Sequence, residues 1–157
     1  MHLTGEFSFE ALPEEVWQVL MDPEVLRSML PGTERLEQLD DSHFNASWRV
    51  KIGPIVGAFT GSIELSNVQP PVSCHMTSVG RGSVGGVSGE ADFQLRAEGE
   101  ATVLTYDLDV RITGRLANIG QRLVESSMRS LIRSALGTLS ERIQERVKDN
   151  TSDGSRS

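Results

Sequence analysis

The letters of a phosphate-binding loop occur at Gly80-Arg81-Gly82-Ser83-Val84-Gly85. Such a loop works when its glycines join a strand to a helix N-terminus, so that backbone N–H groups point at the anion. Here strand-like alternation lies on both sides. The segment is therefore read as a glycine-rich hairpin with a bulge, or as a flap over the mouth of a pocket. Metal ligation fails on spacing, because His2, His43 and His75 are scattered along the chain. Cys74 and His75 are neighbours in a strand pattern and so face opposite sides, giving a buried cysteine beside a surface histidine. Asp107 and Asp109 share a strand face and resemble a carboxylate pair, but Thr105 and Arg111 share it too, which marks a solvated face. No Gly-x-Ser-x-Gly elbow and no nucleophile–base pair is present. No catalytic residue and no metal site is assigned, which favours a non-enzymatic role.

The other chemistry-bearing groups are apolar. Trp48, Phe59, Ile63, Met76, Phe93, Tyr106 and Leu108 fall on inward strand positions, and Leu123, Ser127 and Leu131 on a helical face. Met29 and Leu30 precede Pro31-Gly32 and would stand at a rim. These residues are either a plain packed core or the wall of a ligand cavity. Aromatics are only 5% of the chain, so few large side chains are available to fill a curved interior. Ligand pockets are mostly apolar with a few polar groups, and Tyr106 and Ser127 offer hydroxyls for that purpose. Arg115, Arg122, Arg129 and Arg133 fall on one stripe of a helix, within ~40° of each other. That stripe is a solvated flank, or a docking face for an acidic partner or anionic headgroups.

The elements that position these groups are legible as periods. Leu3, Gly5, Phe7 and Phe9 alternate with polar residues and predict a strand. Pro13 opens a short helix with Glu14 and Glu15 in its first turn, and Asp22-Pro23 starts a second that runs through Met29. About six further strands follow, separated by Asp40-Asp41, Gly53-Pro54, Pro70-Pro71, the glycine cluster and Glu98-Gly99-Glu100, which makes an antiparallel meander. From Arg115 to about Val147 the period becomes helical, with no proline. Two slanted rows carry its apolar side: Leu116, Gly120, Val124, Met128, Ile132, Leu136 and Leu123, Ser127, Leu131, Ala135, Leu139, Ile143. Residues 1–147 form one domain, and 148–157 are expected to be a disordered polar tail.

Bulk properties narrow the partners. With 157 residues the chain suits one domain with a real core. Its net charge of −7 disfavours nucleic acid. The single cysteine, Cys74, excludes an internal disulfide and fits a bacterial or cytosolic, reducing setting. The opening residues show no signal peptide, and no apolar run reaches the ~20 residues that span a bilayer. A cytoplasmic protein, at most peripheral to the inner face of the membrane, is expected.

One strand, two short helices, about six strands and one long helix is the order of the START-like and Bet v 1-like superfamily. Within it the chain resembles the carbon monoxide dehydrogenase CoxG family. The resemblance rests on Pro13-Glu14-Glu15-Val16-Trp17, Asp22-Pro23-Glu24-Val25-Leu26 and Leu30-Pro31-Gly32, then on Gly53-Pro54 with Gly57, Phe59 and Gly61. Pro70-Pro71, the glycine cluster, Thr102-x-Leu104-x-Tyr106 and Gly114-Arg115-Leu116-Ala117 with Gly120, Arg122 and Leu123 complete it. It implies an α+β helix-grip fold, a curved antiparallel sheet around a long C-terminal helix. It also implies an accessory protein of a molybdenum hydroxylase such as CO dehydrogenase, with a quinone or other lipophile as ligand and no tightly bound cofactor. The competing readings are a START-like cyclase or hydrolase using the same cavity, and an interaction protein whose core is filled.

Overall fold

The computed structural model describes residues 1–29 and 32–155, the last six of these (150–155) by backbone alone. Strand β1 (His2–Phe9) leads into helices α1 (Pro13–Leu20) and α2 (Pro23–Met29). Strands β2 (Thr33–Gln38), β3 (His43–Ile52), β4 (Ile55–Gln69), β5 (Ser73–Gly82), β6 (Gly85–Glu98) and β7 (Ala101–Ile112) follow. A 3-10 turn (Gly114–Ile119) then precedes helix α3 (Gln121–Ser155). The strands form one antiparallel sheet in the order β1-β7-β6-β5-β4-β3-β2. Each step from β2 to β7 joins neighbours in sequence, and β1 returns to pair with β7. The expected helix-grip architecture is the one found.

Register decides which side chains face the helix. Phe7 pairs with Leu104, Leu104 with Leu95, and Phe93 with Cys74 and Tyr106. Met76 pairs with Leu65, Ile63 with Phe44, and Phe59 with Trp48. Because side chains alternate across a strand, these residues share the concave face. The opposite face carries Glu64, Glu90, Asp92, Asp107 and Asp109, all exposed.

Glycine sets the curvature. A Cβ on Gly61 would lie 1.8 Å from the carbonyl oxygen of Val79, and one on Gly82 would lie 2.1 Å from that of Ala58. Strands β4 and β5 approach so closely there that no side chain fits. The glycine-rich segment read as a hairpin is one, with its turn between Gly82 and Gly85. Its glycines belong to the ends of β5 and β6 themselves, so both strands are longer than their alternation suggested.

Helix α3 departs from expectation at both ends. Gly120 has φ 103° and separates the 3-10 turn from the helix, so the helix starts at Gln121 and not at Arg115. At the other end it continues through Ser155, so 148–155 are helical where a disordered tail was expected. No proline stops the helix, and propagation of a formed helix adds one hydrogen bond per residue. The two slanted rows are buried toward their C-terminal ends, at Leu136, Leu139 and Ile143. Leu123, expected to be buried, is 47% exposed. Its methyl carbons lie 3.7 Å from where a Cβ on Gly53 would be, so it overhangs a turn that has no side chain to cover it.

The core is divided. One cluster joins Phe9, Val16, Trp17, Val19, Leu95 and Leu104 to Leu136, Leu139 and Ile143. The other joins Ile52, Phe59, Val84 and Leu116 to Val124. Helix α3 is thus gripped at Val124 near its start and at Leu136, Leu139 and Ile143 around its middle. The first grip is reinforced by an ion pair between Arg146 and Asp22 at 3.2 Å and by Gln144 donating to the Glu10 carbonyl at 3.2 Å. Thr102, fully buried, donates to the Ala11 carbonyl at 2.7 Å and fixes the path from β1 to α1. At the second grip the Gly53 N–H donates to Ser127 Oγ at 3.3 Å.

The grips predict unequal costs along one row of the helix. Leu139→Ala, at a fully buried position, is expected to destabilise by about 2–5 kcal/mol, and Leu123→Ala by well under ~1 kcal/mol. Denaturant unfolding of the two variants measures the difference. Equal losses would show that the row is buried along its whole length.

Candidate functional site

The site lies between the two grips. Ile63, Met76, Leu108 and Leu131 are partly buried and belong to neither core cluster. Ile63 stands on β4, Met76 on β5 and Leu108 on β7, on the concave face of the sheet, and Leu131 stands on α3 between Met128 and Ile132, which pack on the two clusters. Phe93, Tyr106 and Met29 pack against the first cluster and are partly buried. Trp48 packs against the second, also partly buried. Apolar side chains inside a domain normally find close-packed partners. Here four of them are incompletely covered. Among the described residues none of the residues named in this wall is ionisable near neutral pH.

The aromatic side chains of the wall lie flat on glycines. A Cβ on Gly80 would sit 2.6 Å from the Trp48 ring, one on Gly57 2.5 Å from the Phe59 ring, and one on Gly5 2.2 Å from the Tyr106 hydroxyl oxygen. The Trp48 and Phe59 rings stack with centroids 6.0 Å apart and planes 25° from parallel. Each ring therefore covers backbone at a glycine. The sequence signal for this seating was present, since glycines occupy inward positions on strands beside those carrying aromatics. It becomes readable only once the register is known.

The structure separates the residues expected to act together. Phe59 is fully buried in the second cluster, so it is core and supports Trp48 from below. Ser127 accepts the Gly53 N–H, so its hydroxyl is an anchor of the helix and not a free polar group of a pocket. Leu123 stands outside the gap. Leu30 lies outside the described residues. The four arginines do not share one helical stripe, because Arg115 precedes the break at Gly120 and sits in the 3-10 turn. Arg115, Arg122, Arg129 and Arg133 are all exposed, and Arg129 pairs with Glu125 at 3.0 Å. Val56 is 57% exposed beside the Gly53-Pro54 turn, a position that no pattern in the sequence marks.

On the convex face, strand pairing assembles groups far apart in sequence. His2 bonds Asp107, and donor atoms of His2, Asp107 and Asp109 lie within 4.8 Å of one another. All three are exposed. His75 bonds Asp92 at 2.7 Å and lies 3.8 Å from Glu90. The Asp92 hydrogen bond, together with attraction to both carboxylates, raises the His75 pKa above its ordinary value despite some opposing desolvation. Cys74, on the other face, is buried, and desolvation pushes its thiol pKa up. It is a structural cysteine, as its neighbourhood in sequence suggested.

Known proteins share this geometry. Residues 5–144 match the family model for the carbon monoxide dehydrogenase component CoxG. A conserved protein from Geobacillus kaustophilus is 27% identical, with a TM-score of 0.88 over 92% of this chain and 96% of that one. The Zhui aromatase/cyclase of a Streptomyces species is 17% identical, with a TM-score of 0.68 over 94% and 95% of the two chains. A START superfamily protein from Mycobacterium smegmatis is 16% identical, with a TM-score of 0.66 over 92% and 97%. The last two share the fold. No curated protein matches the chain.

Two measurements test the local geometry. Gly80→Ala should displace the Trp48 ring, shifting its emission in a Trp17→Phe background, at a cost of about 1 kcal/mol. Unchanged emission would mean the ring does not lie on Gly80. The raised His75 pKa means that the protonated imidazole favours the fold. That contribution is complete below the unfolded value near 6.5 and is lost as pH rises through the folded value. His75→Gln should therefore cost more stability at pH 5.5 than at pH 8.5, measured by urea unfolding at both.

Proposed function

The chain belongs to the carbon monoxide dehydrogenase CoxG family, and on that footing we propose that it is a non-enzymatic accessory protein that holds a lipophile between sheet and helix. The observation that carries this reading is the divided core. Two packed clusters hold α3, and the span between them is walled by the incompletely covered Ile63, Met76, Leu108 and Leu131. A ligand filling that span would complete the apolar contacts the side chains lack, at roughly 25 cal/mol for each Å² removed from water.

The chemistry of the wall favours a hydrophobic, largely uncharged guest. Burying a carboxylate or phosphate there without a paired cation costs several kcal/mol. The same wall offers no acid or base among its described residues, which favours carriage over cyclase or hydrolase chemistry. A quinone as guest, and a CO dehydrogenase-like molybdenum hydroxylase as the enzyme served, are the choices that family membership supports. A quinone ring also suits the partly exposed indole of Trp48, because flat π systems stack with offset.

Titration with a short-tailed quinone and a fatty acid, followed by Trp48 emission in the Trp17→Phe background, is expected to give saturable binding. A soluble anionic nucleotide should give none. Leu131→Trp should weaken lipophile binding at least tenfold and leave the unfolding midpoint nearly unchanged. Saturable nucleotide binding without lipophile binding would overturn the reading. Fatty-acid binding alone would keep the pocket and discard the quinone.

A further inference from the structure

On the convex face, the register of β7 with β6 sets carboxylates against carboxylates. Asp107 lies directly opposite Asp92, and Asp109 directly opposite Glu90. Like charges opposed across a strand pair repel, because their side chains stand side by side. All four are exposed. Arg111, two residues along the same face of β7, is exposed and forms no ion pair among the described residues, so it leaves them unneutralised.

An imidazole joins this block from the neighbouring strand. His2 on β1 is the cross-strand partner of Asp109, and its ring reaches diagonally to bond Asp107. One nitrogen of His2 and one oxygen from each of Asp107 and Asp109 lie within 4.8 Å of one another. Among the described residues no other group brings three such donors so close. The backbones beneath them are fixed, since β1 pairs with β7 from His2 to Phe9 and the Met1 amine donates to the Val110 carbonyl at 2.9 Å. The side chains are exposed, so small rotations can close the spacing onto an ion whose nitrogen and oxygen ligands sit ~2.0–2.2 Å away. The donor set separates this group from an ordinary acidic patch. Oxygen ligands alone suit calcium or magnesium, whereas an imidazole nitrogen with two carboxylate oxygens suits zinc and its first-row neighbours.

We propose that His2, Asp107 and Asp109 form a surface site for a divalent transition ion of the zinc class, with water completing its coordination. The ion staples the edge strand β1 to β7 and offsets the repulsion that Asp92 and Glu90 add. Because β1 carries Phe9 of the first core cluster, the staple acts on the stability of the whole fold. The proposal goes beyond the carrier reading, since it uses the convex face and none of the wall residues.

Titration calorimetry with zinc, on the full chain carrying no histidine tag, is the experiment, with cobalt absorption as a second readout. A single saturable zinc site is expected, together with a raised unfolding midpoint. Bound cobalt should show d–d bands of nitrogen and oxygen ligation and no thiolate charge-transfer band, since Cys74 is buried on the other face. Excess magnesium should not displace zinc. His2→Gln and Asp109→Asn should each weaken zinc binding roughly tenfold or more without unfolding the metal-free chain. His75→Gln, on β5, should leave zinc binding unchanged. No saturable binding, equal competition by magnesium, a thiolate band, or insensitivity to His2→Gln would each overturn the site.

Discussion

The close approach of β4 to β5 at Gly61 and Gly82 is the constraint on which the rest of the structure depends. Backbone oxygens of Val79 and Ala58 occupy the positions that side chains would take, so the sheet bends there as no run of larger residues would allow. A sheet bent this far presents a concave face to α3, and a straight helix cannot follow it. The helix is held near its start by one cluster of buried side chains and around its middle by another. The incompletely covered wall between them follows from the geometry of a rod laid in a trough.

The aromatic seating reinforces that outcome. Rings standing upright on the concave face would fill the trough. Trp48, Phe59 and Tyr106 instead lie over Gly80, Gly57 and Gly5, which shields backbone from water. Stability is left to the two grips, where Leu139, Ile143 and Leu116 are fully buried and where Ser127, Arg146 and Gln144 tie the helix to turns and to the α1–α2 region.

Electrostatics is arranged on a larger scale than any one ion pair. The surface pairs, such as Arg35 with Glu37 and Arg49 with Glu34, are exposed and contribute little each. Among the described residues Lys51, Arg115 and Arg122 form no such pair. Among the described residues no helix is long and apolar enough to cross a membrane.

Much was legible before any coordinates. Period-two alternation located every strand, and Pro13, Pro23 and the turn residues placed the breaks, because these signals are local and act within a few residues. The inward sets of β3, β6 and β7 were right for the same reason. The helix boundaries were not legible, because Gly120 reads as a small residue on a buried row and only its backbone angle makes it a break. Leu123 fits the apolar row perfectly well in sequence, yet its burial depends on whether a side chain waits opposite, and what waits is Gly53. Ser127 looked like a pocket hydroxyl until pairing brought the Gly53 N–H to it. The meeting of His2 with Asp107 likewise required β1 to pair with β7. Sequence determined the elements and their inward faces, because each is set by near neighbours. Tertiary structure alone decided which inward residues are core and which are wall, because that turns on how far a bent sheet stands from a straight helix at each point along it.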